Sequence, residues 1–297
     1  MNTIDPATQI GAVALTVADL NRSLEFYTKV MGFAVLQQSG KDAILGVAGV
    51  PLLLLTEQTG ARPWPVFATG LYHFAILVPT RADLGRWLRH FLDLGYPLPG
   101  QGDHLVSEAL YLSDPDGNGI EIYRDRPRAE WHWDGNQVRM ATDPIDIRGL
   151  LAEADRPAKP WTGLPSGTYL GHIHLQVGDI PKATEFYHGI LGFDIVAQMP
   201  GALFVSAGGY HHHLGLNTWH SRGASPAPAG TAGLRFFTIA LPSDEARDAI
   251  IARLAEAGID SQKLGDAVAV RDPWQNRILL HQGQLGAAEA AMALSSP

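Results

Sequence analysis

The residues of this sequence that can do metal chemistry are histidines and carboxylates. The chain has 12 histidines and no cysteine, which excludes thiolate metal sites, disulfides and a cysteine nucleophile. Three side chains, His73, Glu121 and His172, are candidate ligands for one divalent metal. Two imidazoles and one carboxylate form the facial set that leaves open positions on non-haem Fe(II), and the same set accepts Mn(II), Ni(II) or Zn(II).

Internal repetition of the chain indicates how these three residues are brought together. Residues 11–33 and 171–193 align without gaps, and nine of the 23 positions are identical, including a Glu-Phe-Tyr stretch and a closing Gly-Phe. The chain therefore consists of two related halves. Each half divides again, because LYHFAILVPT at 71–80 and LRFFTIALPS at 234–243 begin further units of the same kind.

Each unit starts with an alternating strand, continues with an amphipathic helix and closes with shorter strands. In the first unit Asp19 is a suitable N-cap and Gly32 is typical of a helix end, with apolar residues at three- and four-residue spacing between them. Units two and four close with DPDGNGIEIY and DPWQNRILLH, where turn residues such as Asp114, Gly117 and Asn118 precede an alternating strand. The sequence therefore predicts four βαβββ modules and an α+β fold.

Four βαβββ modules in one chain resemble the vicinal oxygen chelate superfamily, which includes glyoxalases, extradiol dioxygenases and bleomycin resistance proteins. The segments GLYHFAILVP, DHLVSEALYLSDPDGNGIEIY and SAGGYHHHLGLNTW are similar to the two-domain bacterial catechol 2,3-dioxygenase family. The resemblance covers most of the chain. It implies a non-haem Fe(II)-dependent, extradiol-type ring-cleaving dioxygenase that acts on a catechol or hydroquinone with dioxygen.

Aligning the modules on their opening strands locates the candidate ligands. One shared position holds Ala12 in the first module, His73 in the second, His172 in the third and Phe236 in the fourth. A matching position on the closing strands holds Glu121 in module two and Leu279 in module four. Modules two and three therefore supply a full ligand set, and modules one and four supply none.

The resemblance also implies which modules share a site. In typical extradiol dioxygenases the ligands come from the two modules of the C-terminal half, and here that half lacks two of them. In glyoxalase-like dimers a site combines the first module of one protomer with the second module of the other. Fusion of two such protomers pairs modules two and three, and modules one and four. We therefore expect one metal site across the halves and one apolar-lined site without ligands.

Several further histidines are candidates near the metal. By strand alternation His211 and His213 would share a face, and the likeness to glyoxalases makes His213 a candidate fourth ligand or acid/base group. His174 would share a face with His172, so it lines the pocket or is itself the ligand if the register shifts. The remaining candidates are His104, which the resemblance places near the metal, and the pocket residues Tyr210, Asn217 and Trp219.

Ring cleavage would need a proton acceptor, and two other functions are compatible with the fold. A neutral histidine, His213 or a neighbour, would accept the second phenolic proton. A glyoxalase-like metal-dependent isomerase or lyase would be favoured by two carboxylates in the site, whereas only Glu121 is found. A non-catalytic, resistance-type protein that binds a small molecule would need no metal, and one complete ligand set beside a lost one argues against it.

Composition and charge indicate a globular protein and argue against two classes of partner. The formal net charge of −8 argues against nucleic acid or an anionic membrane as a partner. No apolar run approaches the roughly 18–20 residues of a membrane span. The N-terminus does not resemble a signal peptide, so we expect a cytoplasmic protein, either a monomer or a homodimer.

The modules also suggest domain boundaries. We expect a first domain of two modules at 1–125 and a second domain of two modules at 169–283. A Pro- and Trp-rich linker at 126–168, with a short helix near 145–154, would join them. The Ala/Ser-rich residues 284–297 would form a flexible tail or a short helix.

Overall fold

The computed structural model describes residues 3–154 and 160–296. Its strands follow the predicted module order. The first two modules contain β1 (Gln9–Val17), β2 (Ala34–Ser39), β3 (Asp42–Val47), β4 (Val50–Glu57), β5 (Gly70–Leu77), β6 (Gly100–Asp103), β7 (Ser107–Ser113) and β8 (Gly119–Asp125). A small hairpin of β9 (Trp133–Asp134) and β10 (Gln137–Val138) follows. The last two modules contain β11 (Tyr169–Gln176), β12 (Asp194–Met199), β13 (Ala202–Ser206), β14 (Leu214–Asn217), β15 (Gly233–Leu241), β16 (Ser261–Leu264), β17 (Ala267–Arg271) and β18 (Arg277–Gln282).

The helices are α1 (Leu20–Glu25), α2 (Arg81–Asp93), α3 (Ile147–Ala154), α4 (Ile180–Ala183), α5 (Asp244–Glu256) and α6 (Ala287–Ser295). Four of the helices lie between the opening strand and the shorter strands of a module, α3 lies between the halves and α6 follows the last strand. Helices α1 and α4 are short because each continues as a π-helical segment, Phe26–Met31 and Thr184–Ile190 respectively. Asp19 caps α1 as expected, since its side chain accepts from the Arg22 amide. No helix in the described residues is long and apolar enough to cross a membrane.

The strands form two eight-stranded sheets, and each sheet draws on both halves of the chain. One has the order β16-β17-β18-β15-β1-β4-β3-β2, and the other has the order β12-β13-β14-β11-β5-β8-β7-β6. The opening strands pair antiparallel at the centre of each sheet, β1 with β15 and β5 with β11. Modules one and four thus share one sheet and modules two and three the other, which confirms the expected pairing across the halves.

Matching turns position the closing strands of the two sheets. Asp114 Oδ1 accepts from the Asn118 amide at 2.8 Å, and Asp114 Oδ2 accepts from the Tyr27 hydroxyl at 2.8 Å. Asp272 makes the corresponding bonds with Asn276 and with Tyr187, also at 2.8 Å each. The Asp-Pro motifs are therefore structural, as expected, and they fix where β8 and β18 begin.

Helix α6 fills the hollow of the sheet formed by modules one and four. Ala12, Phe236 and Leu279 are fully buried there in one apolar cluster together with Ala290 and Leu294 of α6. The tail expected at 284–297 is thus largely a packed helix, the second of the two predicted outcomes. Helix α6 packs there because its small and apolar residues complement a concave sheet face lined by apolar side chains.

Two arginines anchor the end of α6. The Arg235 guanidinium donates to the carbonyl oxygens of Leu294 and Ser296 at 2.7 and 3.0 Å. The Arg277 guanidinium donates to the Ser296 hydroxyl at 3.0 Å. Carbonyls at a helix C-terminus lack intrahelical partners, so these bonds satisfy groups that would otherwise be buried unpaired.

The segment between the halves contains the predicted short helix, α3, which packs on α2. The two helices approach closely at Gly85, where a Cβ would lie 2.3 Å from the Leu150 carbonyl oxygen. Residues 155–159 of the predicted linker lie outside the described residues. The division into a first domain, a linker, a second domain and a tail, with boundaries near 125, 168 and 283, stays a prediction.

Candidate metal centre

His73, Glu121 and His172 meet on three neighbouring strands of the second sheet. They lie on β5, β8 and β11, and the sheet order places β5 between the other two. Glu121 Oε2 is 3.1 Å from His73 Nε2 and 3.1 Å from His172 Nε2. The two Nε2 atoms are 3.3 Å apart. One atom from each residue therefore forms a nearly equilateral triangle.

The triangle has the dimensions of a facial ligand set. Nitrogen and oxygen ligands at about 2.1 Å from a metal, at right angles, are about 3 Å apart. The side chains are also buried, with exposed fractions of 6%, 2% and 1% for His73, Glu121 and His172. Buried polar groups converge in this way when they share a partner, so the donor set fits one divalent cation.

The protonation states suit metal binding, which requires neutral imidazole and ionised carboxylate. Burial lowers the pKa of His172 to about 4, so this imidazole is neutral at pH 7. Burial by itself would raise the pKa of Glu121, but the facing His172 and His73 imidazoles lower it well below its usual value. Glu121 is therefore a carboxylate under ordinary conditions.

A cavity of about 950 Å³ opens onto the ligands. His73 and Glu121 line it, whereas His172 is packed behind them. Backbone close approach shapes its wall at Gly119, where a Cβ would lie 2.0 Å from the Tyr72 carbonyl oxygen. A small molecule in this cavity can therefore reach the face of the ligand triangle that the protein leaves open.

His174 lines the cavity beside the three clustered residues. The Asn217 amide donates to His174 Nε2 at 2.9 Å, which occupies that nitrogen. The His174 ring lies against Gly215, where a Cβ would be 2.8 Å from the ring. Asn217 thus orients His174 from outside the cavity, and the geometry favours His172 as the ligand.

The structure corrects the interpretation of His211 and His213. Residues 211–213 form a bend before β14, so strand alternation does not apply to them. His212, the neighbour that was not favoured over His213, lines the cavity, and its ring centroid is 4.1 Å from that of His172. His213 is buried outside the cavity, where its Nδ1 accepts from the Ala207 amide at 3.1 Å. His211 lies behind His212 and contacts Asp125.

His104 lines the cavity, and it is hydrogen-bonded to a tyrosine that sequence reasoning missed. His104 Nδ1 is 2.7 Å from the Ala141 carbonyl oxygen, so it donates, and Nε2 is left to accept from the Tyr111 hydroxyl at 2.6 Å. Burial, and then the Glu121 carboxylate, raise the pKa of Tyr111 well above its usual value. Tyr111 lies directly opposite Glu121 in the β7–β8 register, so pairing the two strands in the sequence would have found it.

The other predicted pocket residues lie in two different places. Trp219 lines the cavity. Tyr210 lies outside it, with its hydroxyl 2.7 Å from the Tyr123 hydroxyl and 3.2 Å from Asp125 Oδ1. Tyr72, which was not predicted, completes the wall, since its ring centroid is 5.0 Å from that of His174 and 5.5 Å from that of Trp219.

Comparison with known proteins gives matches over nearly the whole chain. The profile of the glyoxalase/bleomycin resistance protein/dioxygenase superfamily matches residues 9–122 and 169–280. The chain is 48% identical over 279 residues to a protein of Bacillus subtilis (strain 168) named catechol-2,3-dioxygenase, covering 92% of this chain and 96% of that one.

Solved structures share the fold at low sequence identity. Glyoxalase I from Zea mays superposes with a TM-score of 0.57 at 17% identity, over 97% of this chain and 94% of that one. A crystal structure from Bacillus subtilis subsp. subtilis str. 168 gives a TM-score of 0.66 at 15% identity, over 96% and 87% of the two chains. The two matched ranges coincide with the two halves of the repeat, and the chain belongs to the glyoxalase/bleomycin resistance protein/dioxygenase superfamily.

Proposed function

We propose that this chain is an extradiol-type ring-cleaving dioxygenase that acts on a catechol and holds Fe(II) with His73, Glu121 and His172. The observation that carries the proposal is the ligand triangle, with edges of 3.1, 3.1 and 3.3 Å, on the wall of a cavity large enough for an aromatic substrate. The name of the 48% identical Bacillus subtilis relative supports it. When bound, Fe(II) supplies the redox chemistry that lets dioxygen react with an aromatic diol.

His212 is the proton acceptor that the cavity offers to a catechol hydroxyl. Burial, followed by the neighbouring His172 and His211, lowers the pKa of His212 well below its usual value, so the ring is neutral. A neutral imidazole has one nitrogen that donates and one that accepts, and only the accepting nitrogen can take a proton. The tautomer of His212 therefore decides whether it can act as a base.

A chain of hydrogen bonds from Asp125 sets that tautomer. Asp125 Oδ1 is a carboxylate oxygen and accepts from His211 Nε2 at 2.9 Å. With its hydrogen on Nε2, the His211 ring presents Nδ1 as an acceptor, and this atom lies 2.8 Å from His212 Nδ1. His212 Nδ1 must therefore carry the hydrogen, which leaves His212 Nε2 unprotonated and available to a bound substrate.

Tyr111 offers a second contact for the substrate. Its hydroxyl hydrogen is directed to His104 Nε2, at 2.6 Å, which leaves the phenolic oxygen to accept from a bound hydroxyl group. The raised pKa of Tyr111, caused by burial and by Glu121, keeps the phenol protonated. His212 and Tyr111 thus offer two hydrogen-bond partners for the two hydroxyl groups of a catechol.

The glyoxalase-like alternative is less well supported by this site. Among the described residues, the ligand cluster contains Glu121 as its one carboxylate. An isomerase that moves a proton between carbon atoms is better served by a second carboxylate acting as base, whereas the candidate base in this cavity is the imidazole of His212.

The test is oxygen uptake on catechol after anaerobic loading with Fe(II), together with metal analysis. We expect about one iron per chain, oxygen uptake and a yellow ring-cleavage product. In Glu121→Gln, which keeps the side-chain shape but removes the charge, we expect iron binding and activity to fall by at least about 100-fold. Leu279→Gln, at the matching position of the other sheet, is the control that leaves iron binding unchanged. Stoichiometric Ni, Zn or Mn without oxygen uptake under any loading would contradict the proposal.

A further inference from the structure

The cavity is much larger than an unsubstituted catechol requires. Its volume is about 950 Å³, at the upper end of the roughly 300–1,000 Å³ typical of pockets that enclose drug-sized ligands. The wall away from the ligands is largely apolar and is formed by Trp64, Val66, Leu71, Met140, Met199 and Trp219. A single benzene ring at the metal ligands leaves most of this wall in contact with water.

An aromatic path leads outward from the ligands to the cavity mouth. The Tyr72 ring is 5.4 Å from the His73 ring and 5.5 Å from the Trp219 ring. Trp219 is 46% exposed, so the path ends at solvent. Trp64 also lines the cavity and packs against Gly70, where a Cβ would lie 2.2 Å from its ring. Rigid aromatic walls of this kind favour apolar groups and stacked rings.

Charge in the cavity is unsuited to an anionic substrate. Among the described residues that line it, none is lysine or arginine. Apart from the ligand Glu121, the one carboxylate there is Asp116, which is already paired with Arg22 and accepts from the Ala18 amide at 3.1 Å. A carboxylate buried here would lose water without gaining a cationic partner.

We propose that the substrate is an electrically neutral catechol that carries an apolar alkyl or aryl substituent, and that catechols with a carboxylate substituent are rejected. This inference rests on the proposed ring-cleaving function. The diol lies at His73, Glu121 and His212, and the substituent lies along Tyr72 and Trp219 toward the mouth. Burial of apolar substituent surface strengthens binding by roughly 25 cal/mol per Å², so affinity rises with substituent size.

The test compares catechols matched in shape and different in charge. The substrates are 4-propylcatechol, 3,4-dihydroxyphenylacetate and the methyl ester of that acid, with kcat/KM measured on the Fe(II)-loaded protein. We expect 4-propylcatechol to exceed the acid by about 100-fold, since burial of an unpaired charge is strongly unfavourable. The neutral ester should recover most of that difference. An acid that reacts as well as 4-propylcatechol would overturn the inference and leave ring cleavage established.

A charge placed in the wall provides the complementary test. Met199 lines the cavity and is 42% exposed, so Met199→Arg can bring a guanidinium to the mouth without burying it. We expect this variant to raise kcat/KM for 3,4-dihydroxyphenylacetate by about tenfold relative to Met199→Gln, which has similar size and no charge. No gain for the acid would contradict the assignment of charge as the cause of rejection.

Anaerobic binding separates this inference from the proposed function. Without dioxygen, quenching of tryptophan fluorescence by 4-propylcatechol and by the acid reports affinity directly, because Trp64 and Trp219 line the cavity. Tighter binding of 4-propylcatechol together with no oxygen uptake on any catechol would support neutral catechols as ligands and contradict the ring-cleaving function. Equal or tighter binding of the acid would contradict the proposed preference for neutral, apolar catechols.

Discussion

The two sheets of this protein carry the same modules and the same turns around opposite interiors. Where the second sheet has His73, Glu121 and Tyr111, the first has Phe236, Leu279 and Ala269 at matching positions of its register. One concave face is polar and opens to a cavity of about 950 Å³, and the other is apolar and is filled by helix α6.

The difference shows that the same fold forms whether the concave face of a sheet, here called its cup, is lined by polar or by apolar side chains. Both sheets retain the Asp-Pro turn with its tyrosine contact, Tyr27 with Asp114 and Tyr187 with Asp272. The side chains that point into the cup differ, and helix α6 covers one cup. Apolar fill stabilises the fold directly, whereas a buried polar cluster is expected to be stabilising only with a metal bound.

Truncation at matched positions of the two cups is the strongest way to break this comparison. In His73→Ala we expect metal binding and activity to be lost, with little change in the stability of the metal-free protein. In Phe236→Ala we expect metal binding to remain and the free energy of unfolding to fall by about 3–5 kcal/mol, since a fully buried phenyl ring leaves a cavity. Metal analysis and urea unfolding of both variants provide the measurement. Equal loss of stability in the two metal-free variants would show that His73 and Phe236 contribute alike to folding, which would contradict the comparison.

Two neighbouring histidines sharpen the comparison within the polar cup. His211→Phe removes the acceptor that fixes the tautomer of His212, so we expect kcat to fall by roughly 10- to 100-fold with iron content unchanged. His211→Asn keeps an acceptor near the Nδ1 position and should restore part of the rate. His213→Phe is the control with kcat near wild type, because that ring lies outside the cavity. The measurement is kcat against pH, and an unchanged pH profile in His211→Phe would contradict the role given to His211.

The smallest effect concerns acid stability, which should originate in the histidine-rich sheet. Burial, and then His211 and His172, lower the pKa of His213 to about 3, below the value of about 6.5 expected in the unfolded chain. The unfolded state therefore binds protons first, and stability falls as pH falls from about 6.5 toward about 3. For the metal-free protein we expect a loss of about 1–2 kcal/mol between pH 6.5 and pH 5 from this residue. Urea unfolding of wild type and His213→Phe at both pH values measures it, and equal losses in both proteins would exclude His213 as the source.

The repeat in the sequence was sufficient to predict the four modules and the three residues of the triangle. Alternation and turn motifs fix register within a strand, and two copies of one pattern check each other. The expected strand alternation at 211–213 was wrong because these residues form a bend before β14, and alternation fails where the chain leaves the sheet. Tyr111 was missed because its nearness to Glu121 arises from pairing between strands.

For residues 284–297 the sequence left open a flexible tail or a short helix, and it did not indicate where a helix would pack. A short Ala-rich segment contains no motif that predicts which surface it packs against. Its position follows from the shape of the concave sheet face, which is formed by two modules distant in sequence. The π-helical ends of α1 and α4 were not anticipated either, since a single extra residue in a helical turn leaves the apolar spacing almost unchanged.

Helix α6 also limits how a second reactive centre might be engineered into this protein. Substituting His for Ala12 and Phe236 and Glu for Leu279 would recreate the ligand set, yet the three side chains would meet the apolar surface of α6. Removing the helix first would expose that surface and leave Arg235 and Arg277 without the carbonyl and hydroxyl groups they bind. The ligand substitutions would be destabilising while α6 is present, and removal of α6 would be destabilising while the cup is apolar. A metal site at modules one and four is therefore hard to restore one step at a time. A two-centre enzyme would have to be built from a copy of the polar cup.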